Sequence, residues 1–106
     1  MGISVYSLTA EFPAAERFGL TAQMRRAAVS VPSNIAEGYG RQSTGEFRQF
    51  LGVARGSNCE LQTQLIFARR LGFGSPEKLA GAERLNSDVS RLLHRYMNSL
   101  RGGAER

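Results

Sequence analysis

Apolar side chains recur at steps of three and four along most of this chain, and no stretch alternates long enough to make a half-buried strand. Proline and glycine punctuate the pattern. Phe12-Pro13 and Phe18-Gly19 bracket one connection, Gly38-Tyr39-Gly40 marks a second, and Gly72-Phe73-Gly74-Ser75-Pro76 a third. Four helical segments are predicted. The first, about residues 3–11, is short and sets Val5, Leu8 and Phe12 on one side. The second, about residues 21–39, has Thr21 as N-cap and a stripe of Leu20, Met24, Ala27, Ala28, Val31 and Ile35. Pro32 lies inside that stripe, where it lacks a backbone donor and crowds the carbonyl four residues back. A bend is expected near residues 30–33, with the helix resuming in phase.

The third segment opens on Ser43-Thr44-Gly45-Glu46, a capping box in which hydroxyl and carboxylate each accept a backbone N–H. Phe47, Phe50, Leu51, Ala54, Leu61, Leu65, Ala68 and Leu71 follow as its inner face, and Gly72 as its C′ residue. Gly52 and Gly56, four apart, point to a tight helix crossing. In the fourth segment Ser75 is the cap and Pro76 the first helical residue. Ala82, Leu85, Val89, Leu92, Leu93, Tyr96 and Leu100 form its inner face, and Gly102-Gly103 its end, before a frayed tail to Arg106. The pattern predicts an all-α, antiparallel up-down-up-down four-helix bundle with a short first helix and a proline-kinked second.

Composition narrows the function. With 106 residues, 42% of them apolar, the chain is long enough for one domain, residues 1–106, and too apolar for a disordered polymer. No apolar run approaches the roughly 20 residues of a membrane-spanning helix. One cysteine, Cys59, and one histidine, His94, leave little for disulfide, metal or nucleophile–base chemistry, and no cofactor is implied. The first ten residues lack the basic and apolar parts of a secretory signal, so the cytoplasm is expected. The net charge is +5, and Lys78 is the only lysine among fourteen basic residues. Arginine's planar fork suits phosphates and bases, although a GC-rich genome would give the same bias.

One stretch is distinctive: Glu16-Arg17-Phe18-Gly19-Leu20-Thr21-Ala22-Gln23-Met24-Arg25-Arg26-Ala27-Ala28-Val29-Ser30-Val31-Pro32-Ser33-Asn34-Ile35-Ala36-Glu37-Gly38. With Glu46-Phe47, Ala54-Arg55-Gly56-Ser57 and Glu60-Leu61-Gln62-Thr63-Gln64-Leu65, it resembles the 23S ribosomal RNA intervening-sequence family of bacterial four-helix bundles. The resemblance implies a cytoplasmic homo-oligomer, a pentameric ring foremost. It extends to the accessory protein of diversity-generating retroelements, a basic pentamer that binds nucleic acid and a reverse transcriptase. RNA or single-stranded nucleic acid, and a reverse transcriptase, are thus the implied partners beside further copies of the chain. Family members usually carry further residues ahead of the Val5-Tyr6-Ser7-Leu8-Thr9 region, so the resemblance implies either a truncated first helix or a start that lies upstream.

The candidate nucleic-acid-binding residues are Arg25, Arg26, Arg41, Arg48, Arg55, Arg69, Arg70, Arg84, Arg91 and Arg95. Arg48, Arg55 and Arg69 are spaced at multiples of seven, so they share one side of the third helix, and Arg84, Arg91 and Arg95 line the fourth. Such stripes can follow a phosphate backbone; ion pairs between subunits are the alternative use. Tyr39 near Arg41 and Tyr96 near Arg95 are the expected base-stacking pairs. Asn34, Glu37, Arg55 and Glu60 are read as a structural polar network around Pro32 rather than a catalytic carboxylate pair. His94 is expected to be partly exposed, Cys59 to be a small apolar group, and Ser57 and His94 not to be paired. The sequence favours a non-enzymatic nucleic-acid binder over a protein-interaction scaffold without a nucleic-acid ligand.

Overall fold

The computed structural model describes the backbone of residues 1–104 and the side chains of residues 1–100. Four helices follow one another: α1 (Gly2–Thr9), α2 (Leu20–Tyr39), α3 (Thr44–Leu71) and α4 (Pro76–Ala104). A 3₁₀ turn, Ala14–Glu16, separates α1 from α2, and no strand occurs among the described residues. Helix α2 lies against α3 and α3 against α4, while α1 touches both α2 and α4. The body measures 50 × 21 × 17 Å.

An eight-residue helix is not stable alone in water, so α1 must be held by what it buries. Val5 and Leu8 are fully enclosed and Phe12 nearly so, packed with Met24, Ala27 and Ala28 of α2, Leu61, Leu65 and Ala68 of α3, and Leu79 and Ala82 of α4. Truncating a buried leucine such as Leu8 typically costs about 2–5 kcal/mol. A second cluster, Val31, Leu51, Ala54 and Leu93, is built by the three long helices, with Ile35, Phe47, Val89, Met97 and Leu100 half-buried around it.

Helix α2 starts one residue earlier than the sequence suggests, with Gly19 as N-cap; Thr21 is buried inside the helix and caps nothing. The Leu20 N–H instead donates to Glu16 Oε1 at 3.2 Å. The helix continues through Pro32, which is exposed. Asn34 Nδ2 donates to the Ser30 carbonyl at 2.8 Å, so a side chain serves the backbone beside the proline. Ser43 caps α3 by accepting the Glu46 N–H at 3.1 Å. The Glu46 carboxylate accepts the Ser43 hydroxyl, not its backbone N–H, so only half of the predicted box forms. Gly72 closes α3 at φ 72°, the left-handed conformation glycine reaches without strain.

Two faces differ from the sequence pattern. Leu71 is exposed at the C-terminal end of α3, and Leu85, Leu92 and Tyr96 of α4 are exposed as well. The buried row of α4 runs through Leu79, Ala82, Asn86 and Leu93. A polar residue, Asn86, occupies its middle, so an apolar pattern drifts one position onto the neighbouring row. Helix α4 also runs through Gly102-Gly103 to Ala104 rather than stopping there. The expected tail at Glu105 and Arg106 lies outside the described residues. Gly52 and Gly56 do not mark a crossing within the chain: a Cβ added at either would meet nothing within 4 Å. Their bare side of α3 faces outward.

Candidate nucleic-acid interface

Two grooves are each lined by three arginines. The first lies between α3 and α4 and has a volume of about 660 Å³. Arg55 and Cys59, one turn apart on α3, face Ser90, Arg91, His94 and Arg95, which cover the matching turns of α4. Arg91 is held on its own helix by Asp88, and by Ser87 Oγ at 3.2 Å. Arg55 and Arg95 have no carboxylate within ion-pair distance among the described residues. His94 is exposed, its Nε2 3.2 Å from Asn98 Nδ2. Cys59 is exposed on its face of α3, among these cations.

The second groove, about 770 Å³, lies on the outer side of α1 and α2. Tyr6, Arg17, Phe18, Arg25, Arg26 and Val29 supply its larger side chains. Arg25 is fixed there: its guanidinium sits 4.5 Å from the Tyr6 ring centroid, and its Nε–H donates to Thr9 Oγ1 at 2.9 Å. Thr9 in turn donates to the Val5 carbonyl at 2.8 Å. Thus α1, through Tyr6 and Thr9, sets the direction of an α2 arginine.

The other candidates are dispersed. Arg41 pairs with Glu37 at 2.7 Å and lies 4.8 Å over the Phe50 ring, not over Tyr39. Tyr39 and Tyr96 instead each pack edge-on against Phe47, at 5.6 and 5.7 Å between centroids. The two expected stacking pairs are therefore replaced by an aromatic cluster. Arg69 grips Glu83 of α4 with both Nε and Nη2, and that hydrogen bonding raises its pKa above the ordinary arginine value. Arg48 is half-buried, and Arg70 and Arg84 are exposed but line neither groove. The regular spacing along α3 therefore splits: Arg55 joins the groove, while Arg69 ties two helices together.

The predicted polar network does not assemble. Glu37 points to Arg41, Glu60 accepts from Gln64 Nε2 at 3.1 Å, Arg55 belongs to the α3–α4 groove, and Asn34 serves Ser30. Helical spacing places residues on a face but does not say which neighbour the face meets. What crosses between helices near Pro32 is a hydroxyl pair, Ser30 Oγ and Ser57 Oγ at 2.7 Å. Ser57 thus faces α2 whereas His94 faces the α3–α4 groove. Gln64 Oε1 is buried without a hydrogen-bond partner among the described residues. Nor do three His, Cys, Asp or Glu side chains gather at metal-ligating distance among them.

Sequence reasoning missed Tyr6, Arg17 and Phe18 as groove residues. Arg17-Phe18 was legible as an adjacent basic–aromatic pair, but Tyr6 reaches Arg25 only through the α1–α2 contact.

The chain matches the model of the 23S rRNA-intervening sequence protein family over residues 1–95. It belongs to that family. A solved structure similar to this intervening-sequence protein is that of a protein of unknown function from the S23 ribosomal protein family of Bacteroides thetaiotaomicron. The two share 20% identity with a TM-score of 0.78, over 91% of this chain and 87% of that one. At that identity the likeness concerns the fold. No curated protein matches the chain. No helix among the described residues of this intervening-sequence protein is long and apolar enough to cross a membrane.

Proposed function

We propose that this intervening-sequence protein is a non-enzymatic cytoplasmic bundle that binds RNA or another nucleic acid through arginine-bearing surfaces without reading its sequence. In this reading the helices run up and down in turn, and copies of the chain associate side by side, a pentameric ring being the foremost arrangement. The observation that carries the reading is the α3–α4 groove, where Arg55 and Arg95 converge with His94 and have no carboxylate partner among the described residues. Guanidinium groups held at one surface suit the regularly spaced phosphates of a polynucleotide. The family's own description, which names 23S rRNA, is in keeping with that ligand class. Self-association is supported by the outward face of α3, where Gly52 and Gly56 leave room for a close helix and Val53, Ile66 and Phe67 are exposed.

Filter binding of a structured RNA at about 50 mM salt tests the reading. The protein should retain the RNA, and Arg55→Glu with Arg95→Glu should weaken retention at least tenfold while leaving the helical content unchanged. Absence of binding by the unaltered protein would end it. A second reading is a protein-interaction scaffold with no nucleic-acid ligand, favoured by the exposed apolar side chains of α3. Partners recovered after nuclease treatment of a lysate would favour the scaffold; partners lost on that treatment would favour nucleic acid.

A further inference from the structure

The α1–α2 groove differs chemically from the α3–α4 groove. It pairs cations with exposed aromatic rings. The Phe18 ring is 88% exposed although it precedes a helix whose apolar stripe is otherwise covered, and Arg17 lies 6.0 Å from its centroid. Tyr6 is also partly open and already carries the Arg25 guanidinium on its face. No Asp or Glu lines the groove among the described residues, and the adjacent Glu16 is turned to the Leu20 N–H. Arg25 spends its Nε–H on Thr9, so its direction is set before any ligand arrives.

Resting on the nucleic-acid reading above, we propose that this groove is a stacking subsite for unpaired nucleotides. A base lies on the Phe18 ring, and the flanking phosphates meet Arg17 and Arg26. The charge argument selects a polyanion, because three guanidiniums line the groove and no carboxylate does, Glu60 lying in the neighbouring groove that Arg26 also borders. The aromatic argument selects an unpaired strand. In a duplex both faces of each base are already covered by neighbours, whereas an unpaired base can turn a face to a phenyl ring. A ring of this size left open to water is also the group whose burial by a base gains most. The subsite gives the protein a preference for single strands, loops and bulges that a surface of arginines alone would not confer.

The test compares a single-stranded RNA of about 12 nucleotides with the same sequence annealed to its complement, by fluorescence anisotropy at about 50 mM salt. The unaltered protein should bind the single strand about tenfold more tightly than the duplex. Phe18→Ala should abolish that preference while leaving duplex affinity unchanged, and Phe18→Trp should keep it. Because Phe18 is so exposed, neither substitution threatens the core. Sedimentation of each variant is measured alongside. Equal affinity for both RNAs, or a preference untouched by Phe18→Ala, would overturn the proposal while leaving the broader reading intact. A loss of assembly mass in Phe18→Ala would also overturn it, since the ring would then belong to a seam between copies. Failure to bind either RNA would remove the broader reading and this subsite with it.

Discussion

Asn58 of α3 and Asn86 of α4 clasp each other's backbones in the buried contact between the two helices. Asn58 Nδ2 donates to the Asn86 carbonyl at 2.9 Å, and Asn86 Nδ2 donates to the Asn58 carbonyl at 2.8 Å and to Asn58 Oδ1 at 3.0 Å. Both residues are almost fully buried. The pair fixes the register of α3 against α4, and with it the facing of Arg55 towards Arg91 and Arg95. Since neither amide can be satisfied by water, the pair works as a unit.

Removing one member should therefore cost more than a surface substitution. Asn86→Ala keeps the main-chain carbonyl that accepts from Asn58 Nδ2 but leaves Asn58 Oδ1 buried without a donor, and should destabilise the protein by about 1–3 kcal/mol. Asn58→Leu with Asn86→Leu removes both polar groups and should recover part of that loss. Urea denaturation of the single and double variants checks both outcomes. A double variant that costs the sum of the two singles would show the residues to be independent.

At Gly38, α2 packs tightly against α3. A Cβ built there would lie 2.7 Å from Phe50 Cβ and 2.9 Å from Phe47 Cδ1. Phe47 in turn carries Tyr39 and Tyr96, so no single ring can move aside freely. Gly38→Ala should lower stability by about 1–3 kcal/mol. Gly40→Ala meets only the Glu37 carbonyl at 3.6 Å, an ordinary contact, and should change little by comparison. Thermal unfolding of the two variants side by side separates a packing effect from a general response to losing glycine.

Glu11 ties the end of α1 to the start of α4. Its carboxylate meets Lys78 Nζ at 3.0 Å and accepts the Ser75 N–H at 2.7 Å. These bonds, that of Lys78 foremost, hold its pKa below the ordinary glutamate value. The folded-state pKa is thus lower than the unfolded one. The tie contributes fully above the unfolded pKa and is lost as pH falls through the folded one. Hydrogen exchange in α1 should accelerate relative to α3 in acid, below the usual carboxylate range. Glu11→Gln should show the faster α1 exchange already at neutral pH and lose the acid-dependent change.

Much of the fold was legible before any coordinates. The stripe from Leu20 to Ile35, the Ser43 cap and the Gly72 stop are local: each depends on residues within a few positions, which spacing and side-chain chemistry report directly. The buried row of α4 was misread because Asn86 sits where an apolar residue would have marked the phase. The candidate site was legible only as a set of arginines. Whether a guanidinium meets Glu83, Tyr6, Phe50 or an open groove depends on which helices adjoin, and no spacing along one helix contains that information. For the same reason Asn34, Glu37, Arg55 and Glu60, close in helical pattern, separate to four different neighbours.

The central claim is that exposed guanidiniums hold phosphates, and the salt dependence of RNA affinity tests it most directly. With Arg17, Arg26, Arg55 and Arg95 each engaging a phosphate, the logarithm of the association constant should fall against that of salt concentration with a slope of about −3 or steeper between about 50 and 200 mM. Replacing Arg55 and Arg95 by glutamate should flatten that slope. An affinity indifferent to salt, or no binding at the lowest concentration, would contradict the account.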